Sequence, residues 1–159
     1  MRSRIILACL VATASCVVLT APPASATTLT MAGHSTDRAS YAEGIHTIYE
    51  ATPQGLCFGR YTATISGQVS DRHGGDAIGA AVRVTYATCD AEGDDIRQQE
   101  IIGRQEPYDP EEKGLDRSTF IWVEPAVRDI RFSVCNWEPG TGKLTDCAPL
   151  TPRRSGRGA

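Results

Sequence analysis

Polar and apolar residues alternate along much of the chain, which predicts β-strands because successive side chains of a strand point to opposite faces. The clearest case is Tyr61–Ser70, where threonine and serine positions separate the apolar ones. Ile78–Thr88 alternates in the same way, and turn-forming residues 71–76 lie between the two segments. We expect the two strands to form a hairpin in which Ile65 pairs with Val82, since that register puts both apolar faces on one side.

The last third of the chain predicts a second hairpin. Val127–Trp137 alternates, Pro139–Gly142 supplies the residues of a turn, and Lys143–Ala148 returns as a short strand. Just before this hairpin, Ser118–Glu124 is a denser apolar run. Such a run predicts a central strand that is covered on both faces.

The pattern as a whole indicates one all-β domain. Gly44–Ala51 and Gln98–Gly103 are weaker strand candidates, and no segment has the apolar spacing of a helix. About six to seven short strands separated by turns predict a single immunoglobulin-like β-sandwich, which we place at residues 43–149. Residues 27–42 are small and polar and are expected to form a flexible leader, whereas residues 150–159 are expected to form a disordered basic tail.

The N-terminus has the organisation of a secretory signal peptide. A basic start is followed by an apolar run that ends at Leu19, and Ala24-Ser25-Ala26 then fits a cleavage site. Residues 1–26 are therefore predicted to be removed, which makes the protein secreted and extracellular. Loss of Arg2 and Arg4 changes the net charge from −3 to −5. An acidic surface argues against nucleic acid as a partner and against membrane binding after signal cleavage.

Four of the six cysteines remain after cleavage: Cys57, Cys89, Cys135 and Cys147. An even number in an exported chain predicts disulfides, because the extracellular compartment is oxidising. Cys57 and Cys89 bracket the first predicted hairpin, and Cys135 and Cys147 bracket the second. Of the three possible pairings, this arrangement favours Cys57–Cys89 together with Cys135–Cys147.

The residues that could carry chemistry are scattered. The three histidines, His34, His46 and His73, fall in different elements, so no metal site is predicted from them. Residues 70–73 (Ser-Asp-Arg-His) contain the parts of a hydrolase, but on one solvated hairpin tip. No catalytic residue and no cofactor site is predicted, and the protein is expected not to be an enzyme.

Acidic loops offer weaker candidates. Asp90, Glu92 and Asp94 occupy alternate positions and could form a weak calcium site, although the EF-hand pattern fails later in the loop. Asp109, Glu111 and Glu112 crowd one proline-containing loop and indicate a charged surface rather than a glycosidase pair.

Both tryptophans, Trp122 and Trp137, lie in strands beside dense apolar residues and are expected in the core. Because Trp137 alternates away from the apolar face of its strand, stacking of its ring on a ligand is kept as an alternative.

The export signal, Cys57 before a strand, Cys89 at the end of another and the Cys135–Cys147 hairpin resemble uncharacterised small secreted actinobacterial proteins. The resemblance covers about residues 43–149 and implies no established activity. The favoured hypothesis is a non-enzymatic, disulfide-stabilised β-domain that binds a protein or a cell-surface component. The alternatives are an extracellular protease inhibitor that uses loop 104–117 with Leu115 as its anchor, and a small secreted hydrolase.

Overall fold

The computed structural model describes residues 26–50, 59–109, 111 and 116–153, and these residues are all-β. The eight strands in chain order are β1 (Ala26–His34), β2 (Ser40–Glu50), β3 (Tyr61–Asp71), β4 (Gly79–Cys89), β5 (Asp95–Gln105), β6 (Arg117–Glu138), β7 (Lys143–Pro149) and β8 (Thr151–Pro152). The described ranges include no helix that is long and apolar enough to cross a membrane. Apart from Ala26, the predicted signal peptide lies outside these ranges.

The strands form one antiparallel sheet with the order β5-β4-β6-β3-β2-β1-β8, and β7 also pairs with β6. Strand β6 has 22 residues and belongs to two parts of the sheet. Its residues 117–127 pair with β3, whereas residues 128–137 pair with β4. We call β8-β1-β2-β3 with residues 117–127 the N-half of the sheet. The C-half is β5-β4 with residues 128–138 and β7.

The two halves meet at a bend in β6. Ala126 and Asp129 have φ angles of 53° and 55°, in the left-handed region, beside Pro125, which has no backbone N–H to donate. The register with β3 also shifts at this point, between Tyr61 and Ala63. The strand can therefore change direction here and exchange one set of partners for another.

The bend folds the apolar faces of the two halves against each other. The ring of Trp122 in the N-half meets the edges of Phe132 and Tyr86 in the C-half, with centroid distances of 6.0 Å and 5.2 Å. The aliphatic side chains that are completely buried between the halves are Ile65, Val69, Val82, Val84, Val127 and Val134. Each such side chain contributes about 1.5–3 kcal/mol through the hydrophobic effect.

An ionic cluster joins the same two halves at one end of the core. Arg60, which precedes β3 and is buried, forms an ion pair with Asp95 at the start of β5. Asp95 also pairs with Arg128 just after the bend, and Arg60 donates a hydrogen bond of 3.4 Å to the carbonyl of Ala87. Because each charge has a partner, burying Arg60 does not leave an isolated charge in the core.

Several expectations from the sequence are confirmed. Ala63, Ile65 and Val69 of β3 are fully buried, whereas Ser66 and Gln68 between them are exposed. The C-terminal hairpin of β6 and β7 forms. Its turn is closed by the Gly142 N–H, which donates to the Glu138 carbonyl at 2.8 Å.

One of the two predicted disulfides is confirmed, and the other is not tested. The Cys135–Cys147 disulfide is present across the C-terminal hairpin, with 4.1 Å between the two Cα atoms. Cys57 lies outside the described residues, so the Cys57–Cys89 bridge stays a prediction.

The predicted first hairpin is wrong. Both of its strands exist as β3 and β4, but Ile65 pairs with His46 and Trp122, not with Val82. β3 and β4 instead pair with successive parts of β6 and lie in opposite halves. The alternation gave the buried face of each strand correctly, but many registers with other strands satisfy the same pattern.

Three further expectations are corrected. Residues 117–124 form a strand, yet Ile121 and Val123 are 73% and 54% exposed, so this strand is covered on one face only. The segment 27–42, expected as a flexible leader, contains most of β1 and the start of β2. At the other end, Leu150 is buried and Thr151–Pro152 pair with β1, so the sheet extends into the predicted tail.

Candidate functional site

The N-half of the sheet has one face that no other described element covers. Because cross-strand partners share a face, the register of β1, β2, β3 and β6 defines its rows. These rows are Ala26–Tyr49–Thr62, Thr28–Thr47–Thr64–Val123, Thr30–Ile45–Ser66–Ile121, Ala32–Glu43–Gln68–Thr119 and His34–Tyr41–Ser70–Arg117. We call this array the outer face.

Exposed apolar side chains concentrate on the outer face. Six large hydrophobic side chains are exposed in the described part, and four of them lie here: Ile45, Tyr49, Ile121 and Val123. Ile45 and Ile121 stand in one row on either side of Ser66. Single exposed hydrophobic residues are normal, but a contiguous group among hydroxyl side chains is typical of an interaction surface.

Three depressions in the outer face meet at Gln68. The first has a volume of about 130 Å³ and is lined by Tyr41, Glu43, Gln68, Ser70, Arg72, Asp116 and Arg117. We call it the Tyr41 pocket. The second, of about 350 Å³, follows Gly44 and Gly67 towards Ile45, and the third, of about 510 Å³, extends over Ser118 and Thr119.

The second depression depends on glycine. Gly44 and Gly67 are directly paired on β2 and β3, and the two strands approach closely there. A Cβ atom on Gly44 would lie 2.7 Å from the carbonyl oxygen of Ser66, and one on Gly67 would collide with the carbonyl of Glu43. Any larger residue at either position would therefore push the two strands apart and change the groove.

Arginines surround Tyr41 at one end of the outer face. The guanidinium carbon of Arg72 lies 4.4 Å from the centre of the Tyr41 ring, and that of Arg153, just after β8, lies 6.0 Å away. Arg153 also hydrogen-bonds the Tyr41 hydroxyl and forms an ion pair of 3.4 Å with Glu43. The Tyr41 hydroxyl donates to Glu43 Oε2 at 2.7 Å.

The electrostatics of this end follow from the same contacts. Burial and the hydrogen bond to Glu43 raise the pKa of Tyr41, so the phenol stays protonated and keeps its donor role. Burial and the positive charges of Arg38 and Arg72 lower the pKa of His34, whose ring lies 4.8 Å from that of Tyr41. A neutral histidine adds no positive charge of its own, so the arginines dominate the potential around the pocket.

Two of the arginines, Arg72 and Arg117, have N–H donors that are available to a ligand. Within the described ranges, Arg72 forms no ion pair, and its guanidinium group contacts the ring of Tyr41. The Nε atom of Arg117 lies 3.3 Å from the carboxylate of its neighbour Asp116, but both side chains are about half exposed. Exposed ion pairs contribute little. These guanidinium groups can therefore bind an anion that enters the pocket.

The predicted calcium residues do share one turn. Asp90 Oδ1 accepts the backbone N–H groups of Glu92 at 3.1 Å and of Asp94 at 2.8 Å, so this carboxylate caps its own turn. The described residues contain no group of three or more metal-binding side chains. A calcium site at Asp90, Glu92 and Asp94 stays a prediction that the geometry does not strengthen.

Within residues 70–73, Asp71 accepts hydrogen bonds from the backbone, whereas Ser70 and Arg72 line the Tyr41 pocket. Asp71 is buried and accepts the N–H groups of His73 at 3.0 Å and of Tyr108 at 2.8 Å. Its burial raises the pKa of its carboxyl, which the two N–H groups partly oppose. Ser70 and Arg72 instead line the Tyr41 pocket.

The remaining candidates lie elsewhere. Trp122 and Trp137 are both buried, as expected, and the guanidinium carbon of Arg104 lies 5.2 Å from the centre of the Trp137 ring. The alternative, in which Trp137 stacks on a ligand, is wrong because the residue is only 6% exposed. Asp109 Oδ1 accepts the N–H of Glu111 at 2.8 Å, whereas Glu112 and Leu115 lie outside the described residues.

The sequence did not single out Tyr41, Glu43, Arg117 or Arg153. The one available signal was the polar side of β3, with Ser66, Gln68 and Ser70, because these residues had to face something other than the core. The arrangement that results can hold an anion beside an apolar groove.

Comparison with protein-family models, with curated proteins and with solved structures finds no match to this chain.

Proposed function

We propose that this protein is a secreted, non-enzymatic binding module whose outer face attaches to a protein or a cell-surface component. The observation that carries the proposal is the exposed group of Ile45, Ile121 and Val123, three aliphatic side chains in two neighbouring rows of one sheet face. The proposal includes the signal peptide, the second disulfide Cys57–Cys89, the immunoglobulin-like description of the two packed halves, and the resemblance to secreted actinobacterial proteins.

The energetic argument compares the two faces of the N-half. The inner face buries its aliphatic residues against the C-half, whereas Ile121 leaves 73% of its surface in water. Covering an exposed aliphatic side chain stabilises a complex by about 1.5–3 kcal/mol before the costs of association are subtracted. Hydroxyl groups at Thr47, Thr64 and Ser66 give the same face polar partners for a ligand.

The test measures attachment of the labelled mature protein to intact actinobacterial cells by flow cytometry. Ile121→Asp places a charge in the centre of the outer face and is expected to weaken attachment by about tenfold or more. Ile96→Asp is the matched control, because Ile96 is 44% exposed but lies on β5 in the C-half. Equal attachment by the two variants would contradict the proposal.

The protease-inhibitor hypothesis keeps one supporting observation. The Tyr108 N–H donates to Asp71 Oδ2 at 2.8 Å, and the Tyr108 carbonyl accepts the N–H of Gly75 at 3.0 Å. These bonds fix the described start of loop 104–117 without a cysteine, and a fixed loop favours tight inhibition. Stoichiometric inhibition of a secreted protease that Leu115→Ala abolishes would replace the binding-module proposal.

A further inference from the structure

We propose that the Tyr41 pocket, together with Arg153, binds an acidic side chain of an extended segment in a partner protein, and that an apolar side chain two positions away in that segment occupies the groove beside Ile45. This inference rests on the proposed binding role of the outer face and adds the chemistry of the segment that is bound.

The first argument is the supply of donors. A guanidinium group carries five N–H donors in a planar fork that matches both oxygens of a carboxylate. Arg72 contacts the Tyr41 ring and forms no ion pair with a described residue, and the Arg117 guanidinium reaches Asp116 through Nε. Two guanidinium groups with N–H donors available thus border a pocket of about 130 Å³, which has room for a carboxylate with a short stem.

The second argument is the local charge. The protein carries a net charge of −3, so an arginine-rich pocket runs against the overall balance. Among the described residues here, the acids are Glu43 and Asp116, against three arginines, Arg72, Arg117 and Arg153. A local positive site on an acidic protein selects an acidic group while the rest of the surface repels polyanions.

The third argument is preorganisation. The guanidinium carbons of Arg72 and Arg153 lie 4.4 Å and 6.0 Å from the centre of the Tyr41 ring, so cation–π contacts restrict both side chains before any ligand arrives. Glu43 fixes Arg153 further through the ion pair of 3.4 Å. Arginines that are already ordered lose less entropy when they bind a carboxylate, which favours affinity.

The spacing of the two depressions identifies the segment. The Tyr41 pocket lies between the rows of Tyr41 and Glu43, and the groove lies between the rows of Glu43 and Ile45. Adjacent rows are two residues, or about 7 Å, apart along a strand. An extended peptide has the same repeat for side chains on one face. An acidic residue and an apolar residue two positions apart therefore fit both depressions at once.

The aliphatic neighbours favour a protein over an acidic polysaccharide. Sugar rings bind best on exposed aromatic faces, whereas the groove beside this pocket is lined by Ile45, and the Tyr41 ring is already in contact with Arg72. An aliphatic side chain of a peptide would bury against Ile45.

The experiment selects random linear peptides displayed on phage against the immobilised mature protein. The same selection uses the double variant Arg72→Gln/Arg117→Gln, and Arg97→Gln as control because Arg97 is exposed on β5. The native protein and the control are expected to enrich peptides with an acidic residue two positions from an apolar one. The double variant is expected to lose the preference for the acidic residue.

One enriched peptide is then synthesised with its acidic residue or with the matching amide, and binding is measured by fluorescence anisotropy. The amide is expected to weaken binding to the native protein by about tenfold to hundredfold, the range for hydrogen bonds to charged groups. It should leave binding to the double variant unchanged. Arg117→Lys should bind the acidic peptide more strongly than the double variant but more weakly than the native protein, because an ammonium group cannot form the planar fork.

Several outcomes would overturn the inference. Three of them come from the selection: no peptide is enriched, the enriched peptides lack an acidic residue, or the acidic preference survives in the double variant. The fourth is that polygalacturonate binds and needs these arginines, whereas acidic peptides do not bind.

Peptides that require Ile121 but not the arginines would remove this inference and leave the binding role of the outer face standing. Peptides that depend on neither would remove both.

Discussion

The side chain of Asn136 should contribute more to stability than any other uncharged polar group in the C-terminal hairpin. It is 2% exposed on β6. Its amide donates to Asp37 Oδ2 at 2.6 Å and its oxygen accepts the hydroxyl of Ser40 at 2.8 Å. Ser35 completes the network through a hydrogen bond of 2.6 Å to Asp37. These contacts join the β1–β2 connection to β6, directly before Tyr41.

The magnitude follows from the two bonds. Asn136→Ala removes both of them, at about 1 kcal/mol each, and leaves the buried hydroxyl of Ser40 without its acceptor, which costs about 1 kcal/mol more. Asp37 is exposed, so its charge adds little. We expect the free energy of unfolding at pH 7 to fall by about 2–3 kcal/mol. Urea denaturation of the oxidised mature protein measures it, and Gln98→Ala, an exposed amide on β5, should change stability by less than about 0.5 kcal/mol.

The pH dependence gives a second readout. Burial alone would raise the pKa of Asp37, but hydrogen bonds from Ser35, the Ala39 N–H and Asn136 outweigh it and lower the pKa. A carboxyl with a lowered pKa in the folded state stabilises the protein above its unfolded pKa, near 4, and this contribution is lost as the pH falls through the folded pKa. The deficit of Asn136→Ala should therefore shrink in acid.

The variant Asn136→Asp provides the opposite test. It preserves the shape but places a second carboxylate beside Asp37, so it should be less stable than Asn136→Ala at pH 7 and recover on acidification as one carboxyl is protonated. A deficit below about 0.5 kcal/mol for Asn136→Ala at pH 7, or a deficit for Asn136→Asp that does not change between pH 7 and pH 3.5, would refute this account of the network.

Three further predictions concern the sheet. Replacing both Cys135 and Cys147 by serine opens a loop with a sequence separation of 12, which should cost about 3 kcal/mol in the chain-entropy model and lower the urea midpoint. Gly103→Ala would put a Cβ atom 2.8 Å from the Cβ of Phe120, so overpacking should cost about 1–3 kcal/mol, measured in the same way. Ile121→Ser should change the unfolding free energy by less than about 0.5 kcal/mol, because its side chain is 73% exposed, and a larger loss would mean that the residue supports the fold.

Local pattern was sufficient to predict the strands that have one clearly apolar face. β3 follows this rule, since Ile65 and Val69 are buried and Ser66 and Gln68 between them are exposed. β6 follows it around Phe132 but not after Val134, where Cys135, Asn136 and Trp137 are all buried. The same rule missed β1, in which only Leu29 and Met31 mark the inner face among threonines and small residues. A strand with so few apolar positions is recognised only when its neighbour is known.

Pairing between strands was harder to predict than the strands themselves. Pro125 separates two apolar segments in the sequence, and we expected two strands there; the structure has one strand that bends at that proline. This continuity lets residues on either side pair with β3 and β4. The sequence alone could not distinguish that arrangement from a direct hairpin, because both bury the same residues.

The candidate site was beyond prediction for a related reason. The site draws on four separate segments, which supply Tyr41, Arg72, Arg117 and Arg153. These residues come together only after β1, β2 and β8 have joined the sheet. No spacing within the sequence relates them. What the sequence did indicate was that the polar residues of β3 needed a solvent-facing role.

The shared strand β6 also imposes an order on folding. Residues 26–105 contain five of the eight strands, yet β3 and β4 contact β6 far more closely than each other, and the core cannot close before residues 117–138 have been synthesised. Until β6 has been synthesised, the edges of β3 and β4 therefore remain unpaired and their valine side chains remain exposed to solvent. This state favours aggregation or binding by chaperones. A proteolytic cut at the bend would separate the part of β6 that pairs with β3 from the part that pairs with β4, and residues 72–78 would still link the two halves. Because both halves share β6, such a cut should destabilise both of them together.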